Sequence, residues 1–159
     1  MSEAKSIGEW FGVYSESHKN KINKLIHFFC VPAIYFTVMG FIWAIPTPAI
    51  FESIPGLNWA SIATLFVLGF YIRLSALITL GMALFSVACL LMLSYMEQTL
   101  QWNVLYFSAG LFVVSWILQF VGHAIEGKKP SFFQDLQFLM IGPAWVMGFV
   151  FQKAGIKLK

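Results

Sequence analysis

The sequence has few charged residues. Aspartate, glutamate, lysine and arginine make up 11% of its 159 residues, whereas hydrophobic residues make up 59%. Soluble domains carry about 25% charged residues, so this composition excludes an ordinary water-soluble domain. The net charge of +3 does not indicate nucleic acid as a partner, because basic residues in so apolar a chain are confined to loops. We therefore expect a protein of the lipid bilayer.

Cysteine is also scarce. The two cysteines, Cys30 and Cys89, lie in long apolar runs and form no CxxC or other metal-binding spacing. This pattern excludes a cysteine metal site, and we predict two free, buried thiols that pack as small apolar side chains. Repeats and low-complexity tracts are absent too, which indicates a single domain over residues 1–159.

What the sequence does contain is long uncharged stretches. Four of them are each near or above the roughly 20 residues that cross a bilayer. We predict an all-α polytopic membrane bundle of four transmembrane helices after an N-terminal segment, residues 1–24. That segment lacks a signal-peptide pattern, so we expect it to be retained. The predicted spans are residues 25–46, 57–72, 74–96 and 101–123.

The basic residues predict the orientation. Four lysines precede the first span, Arg73 separates the second span from the third, and Lys128 and Lys129 follow the fourth. The other two connections contain no basic residue. Under the positive-inside rule, the N-terminus lies in the cytoplasm. The membrane is then a bacterial inner membrane or that of the endoplasmic reticulum.

The apolar segment 131–152 is harder to place. It carries Asp135 near its start and Gly142-Pro143 in its middle. A full crossing would move three C-terminal lysines to the outside. We predict a re-entrant or interfacial helical hairpin broken at Pro143, with a fifth span as the alternative.

Histidine is rare, and its three occurrences coincide in the predicted topology. His18, His27 and His123 all fall at the cytoplasmic edge of the bundle. Asn23 and His27 are four residues apart and share one helix face. His18 and His27 are nine apart, so they reach one site only if the chain bends near Asn20, a good capping residue.

A carboxylate accompanies the third histidine, because Glu126 follows His123 by three residues on the same helix face. Three imidazoles, or two with a carboxylate, form a metal site that suits Fe(II) as well as zinc. Simpler interpretations stay open: interfacial histidines often only form hydrogen bonds, and Glu126 beside Lys128 and Lys129 forms a solvated ion pair.

Two stretches contain spaced polar residues around the histidines. HKNKINKLIHFFCVP, residues 18–32, contains the pattern His-x-Asn-x-x-Asn-x-x-x-His followed by proline. WILQFVGHAIEGKKPSFFQDLQFLMIGP, residues 116–143, contains Gln-Phe-x-Gly-His-x-x-Glu-x-x-x-Pro. Both motifs, and their order, resemble those of the Mpo-type 2-hydroxy fatty acid dioxygenases.

The resemblance implies a small multispanning enzyme. Such enzymes use Fe2+ and O2 to shorten a 2-hydroxy fatty acid by one carbon, a step in lipid and sphingoid-base degradation. By position, the resemblance implies that His18, His27 and His123 are iron ligands. It implies that Glu126 is a fourth ligand or orients a histidine, and that Asn23 supports the metal site or contacts substrate.

Further roles and competing functions stay open. Lys128 or Lys129 pairs with the substrate carboxylate or serves only as a topology anchor. Three histidines are too few for a di-iron desaturase or hydroxylase. A non-enzymatic transport or scaffold protein with interfacial histidines is the main alternative, although no charged residue lies mid-span as an ion-coupled carrier would need. A haem protein and a homo-oligomer are also compatible with the sequence.

Overall fold

The computed structural model describes residues 6–16, 18–127 and 139–156, without the side chain of Glu52. Within these ranges the chain is all-helical and contains no strand. A short 3₁₀ helix, Ala49–Ser53, interrupts the connection between the second and third α-helices. The described α-helices are α1 (Ile7–Glu16), α2 (Lys21–Trp43), α3 (Trp59–Ile72), α4 (Ala76–Gln98), α5 (Val104–Glu126) and α6 (Ile141–Lys153).

Three helices have the length and apolar character to cross a membrane: α2, α4 and α5. Each has 23 residues, which corresponds to about 35 Å of helix. The second predicted span, residues 57–72, contains α3, which has only 14 residues, or about 21 Å. Large side chains on α3 face outwards, with Leu65 70% and Phe66 77% exposed, as expected for a lipid-facing surface.

Helices α2 and α5 pack against each other in antiparallel orientation, and a glycine allows close approach near each end of the pair. Near one end, a Cβ on Gly122 of α5 would clash with Oδ1 of Asn23 on α2. Near the other end, a Cβ on Gly40 of α2 would clash with Oγ of Ser108 on α5. Small residues at such contacts let helix backbones approach closely in membrane proteins.

The core is built around α4, and buried side chains of α2, α3, α5 and α6 pack against it. Met82 and Leu93 of α4 are fully buried there. The hydroxyl of Ser86 donates to the carbonyl of Met82 at 2.7 Å, so the hydroxyl of Tyr35 donates to Ser86 Oγ, also at 2.7 Å. Cys30 and Cys89 are free and buried, which confirms the prediction of two buried thiols.

Helix α6 packs against α1, α2 and α4. The hydroxyl of Tyr71 donates to the carbonyl of Met140 at 2.6 Å and so ties the end of α3 to the start of α6. Pro143 lies in the first turn of α6, where a missing N–H costs no helical hydrogen bond. The described helix therefore runs through the position at which the sequence suggested a break. Residues 131–138, the start of the predicted hairpin, lie outside the described residues.

Candidate metal centre

His18 lies in the short connection between α1 and α2. Its ring stacks on Tyr14, with ring centroids 4.2 Å apart and planes 9° apart. Its Nδ1 is 2.7 Å from the carbonyl oxygen of Tyr14. Because a carbonyl only accepts, Nδ1 carries the proton and Nε2 keeps its lone pair.

The chain turns between His18 and His27 at Asn20, the N-cap of α2. The Asn20 side chain accepts hydrogen bonds from the backbone N–H groups of Ile22 and Asn23, which satisfies donors that the helix leaves free. The predicted bend therefore lies where the sequence indicated it. Because of this turn, the two histidines face each other, with ring centroids 4.3 Å apart.

His27 lies in the second turn of α2. Its Nδ1 is 3.0 Å from the carbonyl oxygen of Asn23, one turn earlier in the helix. As in His18, the carbonyl can only accept, so Nδ1 of His27 carries the proton. The Nε2 lone pair of His27 is therefore available to another partner.

His123, in the last turn of α5, completes the cluster. Its ring centroid is 4.8 Å from that of His27 and 5.5 Å from that of His18. All three side chains are at least 96% buried. One nitrogen from each ring lies within 4.8 Å of the other two. Imidazole nitrogens bind metals at about 2.0–2.1 Å, so shifts of about an ångström would bring the three onto one ion.

The chemical state of His18 fits a metal ligand. Its Nε2 is buried and has no hydrogen-bond partner among the described residues, a costly arrangement for a polar atom unless something else binds it. Burial lowers the pKa of His18 from 6.5 to about 4, with a contribution from the neighbouring His123. The imidazole is therefore neutral at physiological pH, as a ligand must be.

Glu126 holds the connection that carries His18. Its two carboxylate oxygens accept hydrogen bonds from the backbone N–H groups of Lys19, at 2.9 Å, and Asn20, at 2.8 Å. The side-chain amide of Asn23 donates to the same carboxylate at 3.2 Å. The end of α5 is thereby joined to the start of α2, and the carboxylate lies outside the three-histidine cluster.

Asn23 connects several parts of this arrangement. Asn23 is fully buried. Its side-chain amide donates to Glu126, and its backbone carbonyl orients the His27 ring. Its side-chain Oδ1 lies against Gly122, which precedes His123. The sequence placed Asn23 beside His27, and the structure places it at the centre of the site's hydrogen bonds. Lys128 and Lys129, the predicted partners of a substrate carboxylate, lie outside the described residues.

A comparison with protein-family models assigns the chain that carries this site to a family. The family model described as 2-hydroxy-palmitic acid dioxygenase Mpo1-like matches residues 4–154. The chain belongs to the Mpo1-like family. No curated protein and no solved structure matches it. The match spans all three histidines and Glu126, so the cluster is built from the part of the chain that the family model covers.

This Mpo1-like chain also brings residues to the site that the sequence did not single out. Tyr14 stacks on His18, and the indole of Trp145 on α6 lies 5.9 Å from the His18 ring. The indole N–H of Trp145 donates to Ser15 Oγ at 3.0 Å. No spacing rule joins positions so far apart in the chain, and the two aromatic residues meet only because α1 packs on α6.

A cavity of about 30 Å³ opens beside His27, between α2 and α5. It is large enough for a water-sized molecule. Val31 and Ile34 form part of its wall, and Gln119, 94% buried, brings an amide to it. Helical spacing could have indicated Gln119, because it precedes His123 by four residues and so lies on the same face.

Proposed function

We propose that this protein is an Fe2+-dependent dioxygenase that shortens 2-hydroxy fatty acids by one carbon, in the degradation of lipids and sphingoid bases. The observation that carries the proposal is the cluster of three buried histidines within 4.8 Å, in a chain of the Mpo1-like family. The apolar helices α2, α4 and α5 are suited to a lipid environment, in which such a substrate dissolves.

The choice of metal follows from the reaction. Three neutral imidazoles suit zinc as well as Fe2+, but zinc has no redox chemistry. Oxidation of RCH(OH)COOH by one O2 to RCOOH, CO2 and H2O balances atoms and electrons, so no separate reductant is needed. Bound Fe2+ would supply the redox chemistry and hold the substrate oxygens next to O2.

The protein's own residues hold and orient this centre. His18, His27 and His123 are the proposed ligands. The carbonyls of Tyr14 and Asn23 fix the ring planes and proton positions of the first two, a role that such partners commonly have in metal sites. Their Nε2 lone pairs are thus directed away from the backbone before a metal arrives.

Glu126 acts in this proposal as a positioning residue. Its carboxylate is already bound to three donors from the chain around Asn20, and these charge-assisted hydrogen bonds fix the segment that follows His18. Asn23 links Glu126 to His27. Lys128 and Lys129 stay proposed partners of the substrate carboxylate.

The position of the site suits an amphiphilic substrate. The histidines lie at the ends of α2 and α5, where a carboxylate and a 2-hydroxyl stay near water while the alkyl chain lies among apolar helices. The cavity beside His27 has room for a molecule the size of O2. The amide of Gln119 supplies a polar group in its wall.

We propose the four-span topology with α3 as the short crossing and α6 as an interfacial or re-entrant helix. The N-terminus then lies in the cytoplasm, in a bacterial inner membrane or the endoplasmic reticulum. A membrane-impermeant maleimide tests this orientation in sealed vesicles whose cytoplasmic face is on the inside. A cysteine introduced at Lys19 should stay protected and one at Ser53 should react, while native Cys30 and Cys89 are buried. The opposite pattern would reverse the topology.

The activity is tested by mass spectrometry of products. Purified protein loaded with Fe2+ receives 2-hydroxypalmitate and air, beside a His27→Ala variant and the metal-free protein. The one-carbon-shorter acid should form only in the loaded wild type. Bound iron without product would discard the substrate and keep the metal site. Neither metal nor product would favour a transport or scaffold protein with interfacial histidines.

A further inference from the structure

A second feature of the molecule is a groove of about 290 Å³ between residues 21–29 at the start of α2 and residues 145–153 of α6. Its walls are apolar. Leu25, Phe28 and Phe29 line one side, and Trp145 and Phe149 line the other. Leu25 is 59% and Phe29 65% exposed, so the groove is open along its length to the surroundings of the bundle.

Three lysines surround this apolar groove: Lys21 and Lys24 in the first turn of α2, and Lys153 in the last turn of α6. Among the described residues, none that lines the groove is acidic, and the first turn of α2 contains no acidic residue. The positive end of the helix dipole disfavours cations there. The Glu126 carboxylate, which accepts from the N–H groups of Lys19 and Asn20, offsets part of this potential, and the two lysines of α2 add two further positive charges beside the groove.

The lysines belong to the groove and not only to the membrane surface. The ammonium of Lys153 lies 5.2 Å from the ring centroid of Phe149, over one wall, a favourable cation–π position. Lys21 and Lys24 are three residues apart and share one helix face. Two helices thus direct positive charge to one apolar surface, which complements an anionic amphiphile.

We propose that this groove docks the fatty-acid substrate, with its carboxylate among the lysines and the first part of its alkyl chain along the aromatic walls. This inference rests on the proposed function and adds to it a binding site separate from the histidines. The volume lies at the small end of ligand pockets, which matches one alkyl chain better than the two chains of a phospholipid.

The groove and the metal centre share a wall. The ring of Trp145 lies 5.9 Å from that of His18 and stacks at 6.3 Å on Phe149, which lines the groove. Only the indole of Trp145 would therefore separate a fatty acid docked in the groove from the histidine cluster. Movement of the Trp145 side chain would open the path between the two sites, and the lysines would concentrate anionic substrate beside it.

Photo-crosslinking tests the site directly. Iron-loaded full-length protein in detergent is irradiated with a palmitate analogue that carries a diazirine on its chain, and adducts are mapped by peptide mass spectrometry. We expect adducts in residues 21–29 and 145–153. The double variant K24Q/K153Q should lose labelling several-fold, K24R/K153R should retain it, and the control Arg73→Gln should match wild type. Adducts elsewhere, or labelling unchanged in K24Q/K153Q, would overturn the proposal.

Competition identifies the ligand chemistry. Palmitate should compete with the probe, whereas palmitate methyl ester, which has the chain without the charge, should compete several-fold less well. Phosphatidylglycerol that competes as well as palmitate would assign the groove to a phospholipid headgroup and would overturn the proposal. Equal competition by the methyl ester would also contradict it, because the lysines would then contribute nothing.

Kinetics separate this inference from the proposed reaction. K24Q/K153Q should raise KM for 2-hydroxypalmitate several-fold, with unchanged iron content and little change in kcat. Turnover by wild type with an unchanged KM in the variant would reject the groove and keep the reaction. Charge-dependent labelling of the groove without turnover in any sample would keep the fatty-acid site and reject the reaction.

Discussion

The two ends of the α2–α5 pair use the same packing device and differ in what they bury. At each end a glycine allows close contact, Gly122 against Asn23 and Gly40 against Ser108. At the Gly122 end the buried polar groups include three imidazoles from three parts of the chain. At the Gly40 end the buried polar groups are hydroxyls, and that of Thr37 donates to its own helix, to the carbonyl of Ile34.

The difference teaches what distinguishes a site from a tolerated defect. Ser108 Oγ is buried without a hydrogen-bond partner among the described residues, as is Nε2 of His18. One neutral hydroxyl can rotate toward its surroundings at modest cost. Converging imidazole nitrogens repel one another's lone pairs, and a cation between them removes that cost. The convergence of several imidazole nitrogens therefore indicates a functional site more strongly than one buried polar atom without a hydrogen-bond partner does.

The largest effect is expected from removing one imidazole. His27→Ala should lower bound iron and product formation at least about 100-fold, since even indirect support of a ligand contributes about 10–100-fold. Ser108→Ala, which removes the buried hydroxyl that has no hydrogen-bond partner among the described residues, should leave both near wild type. Metal analysis of the purified proteins and product mass spectrometry measure this. Equal losses in both variants would mean that the comparison reflects folding alone.

The next effect concerns the two glutamates that bridge helices. Glu126→Gln should weaken iron affinity about tenfold, because a neutral amide binds the N–H groups of Lys19 and Asn20 less strongly than a carboxylate. Glu97→Gln is the matched control, because Glu97 accepts a 3.0 Å hydrogen bond from the Trp43 indole at the opposite end. Its iron affinity should not change. Titration with Fe2+ under anaerobic conditions provides both values.

The glycines give a smaller effect with an informative split. Gly122→Ala and Gly40→Ala should each lower the free energy of unfolding by about 1–3 kcal/mol, because the added methyl group overfills a close contact. Only Gly122→Ala should also weaken iron binding. The added methyl group displaces the Asn23 side chain and with it the Asn23 backbone carbonyl, which orients the His27 ring. Thermal unfolding in detergent with and without Fe2+ tests this. An equal iron shift in Gly40→Ala would contradict it.

The smallest effect is a pH dependence. Burial lowers the pKa of His18 from 6.5 in the unfolded chain to about 4 in the fold, so between these values the unfolded state binds more protons. The contribution of His18 to stability is present above pH 6.5 and is lost as the pH falls towards 4. Metal-free wild type should melt at lower temperature at pH 5 than at pH 7, and His18→Gln should show a smaller difference. An equal difference in both would exclude His18 as the source.

Much of the site could be predicted because helical spacing and membrane topology are local properties. The spacing of Asn23 and His27 predicted their shared face, and the cap at Asn20 explains the bend that brings His18 to His27. The positions of the basic residues predicted that the start of the first span and the end of the fourth lie at the same face of the bundle. In the structure, His123 lies beside His27.

The rest could not be predicted, because it depends on tertiary packing. Nothing near His18 in the sequence indicates that Trp145 lies 5.9 Å away, since this contact requires α6 to pack on α1. The role of Glu126 also needed coordinates. Its spacing from His123 allowed a ligand, whereas its oxygens bind backbone N–H groups of Lys19 and Asn20, donors that every sequence offers equally.

The histidine cluster has a consequence for how the protein is made. His18 and His27 are synthesised before the first long helix is complete, whereas His123 emerges only at the end of the last one, α5. Two of the three imidazoles are therefore synthesised early, and the third follows only after α4 and almost all of α5. Under the proposed function, only molecules in which α2 and α5 have paired would retain the ion, so metal content would also report correct folding.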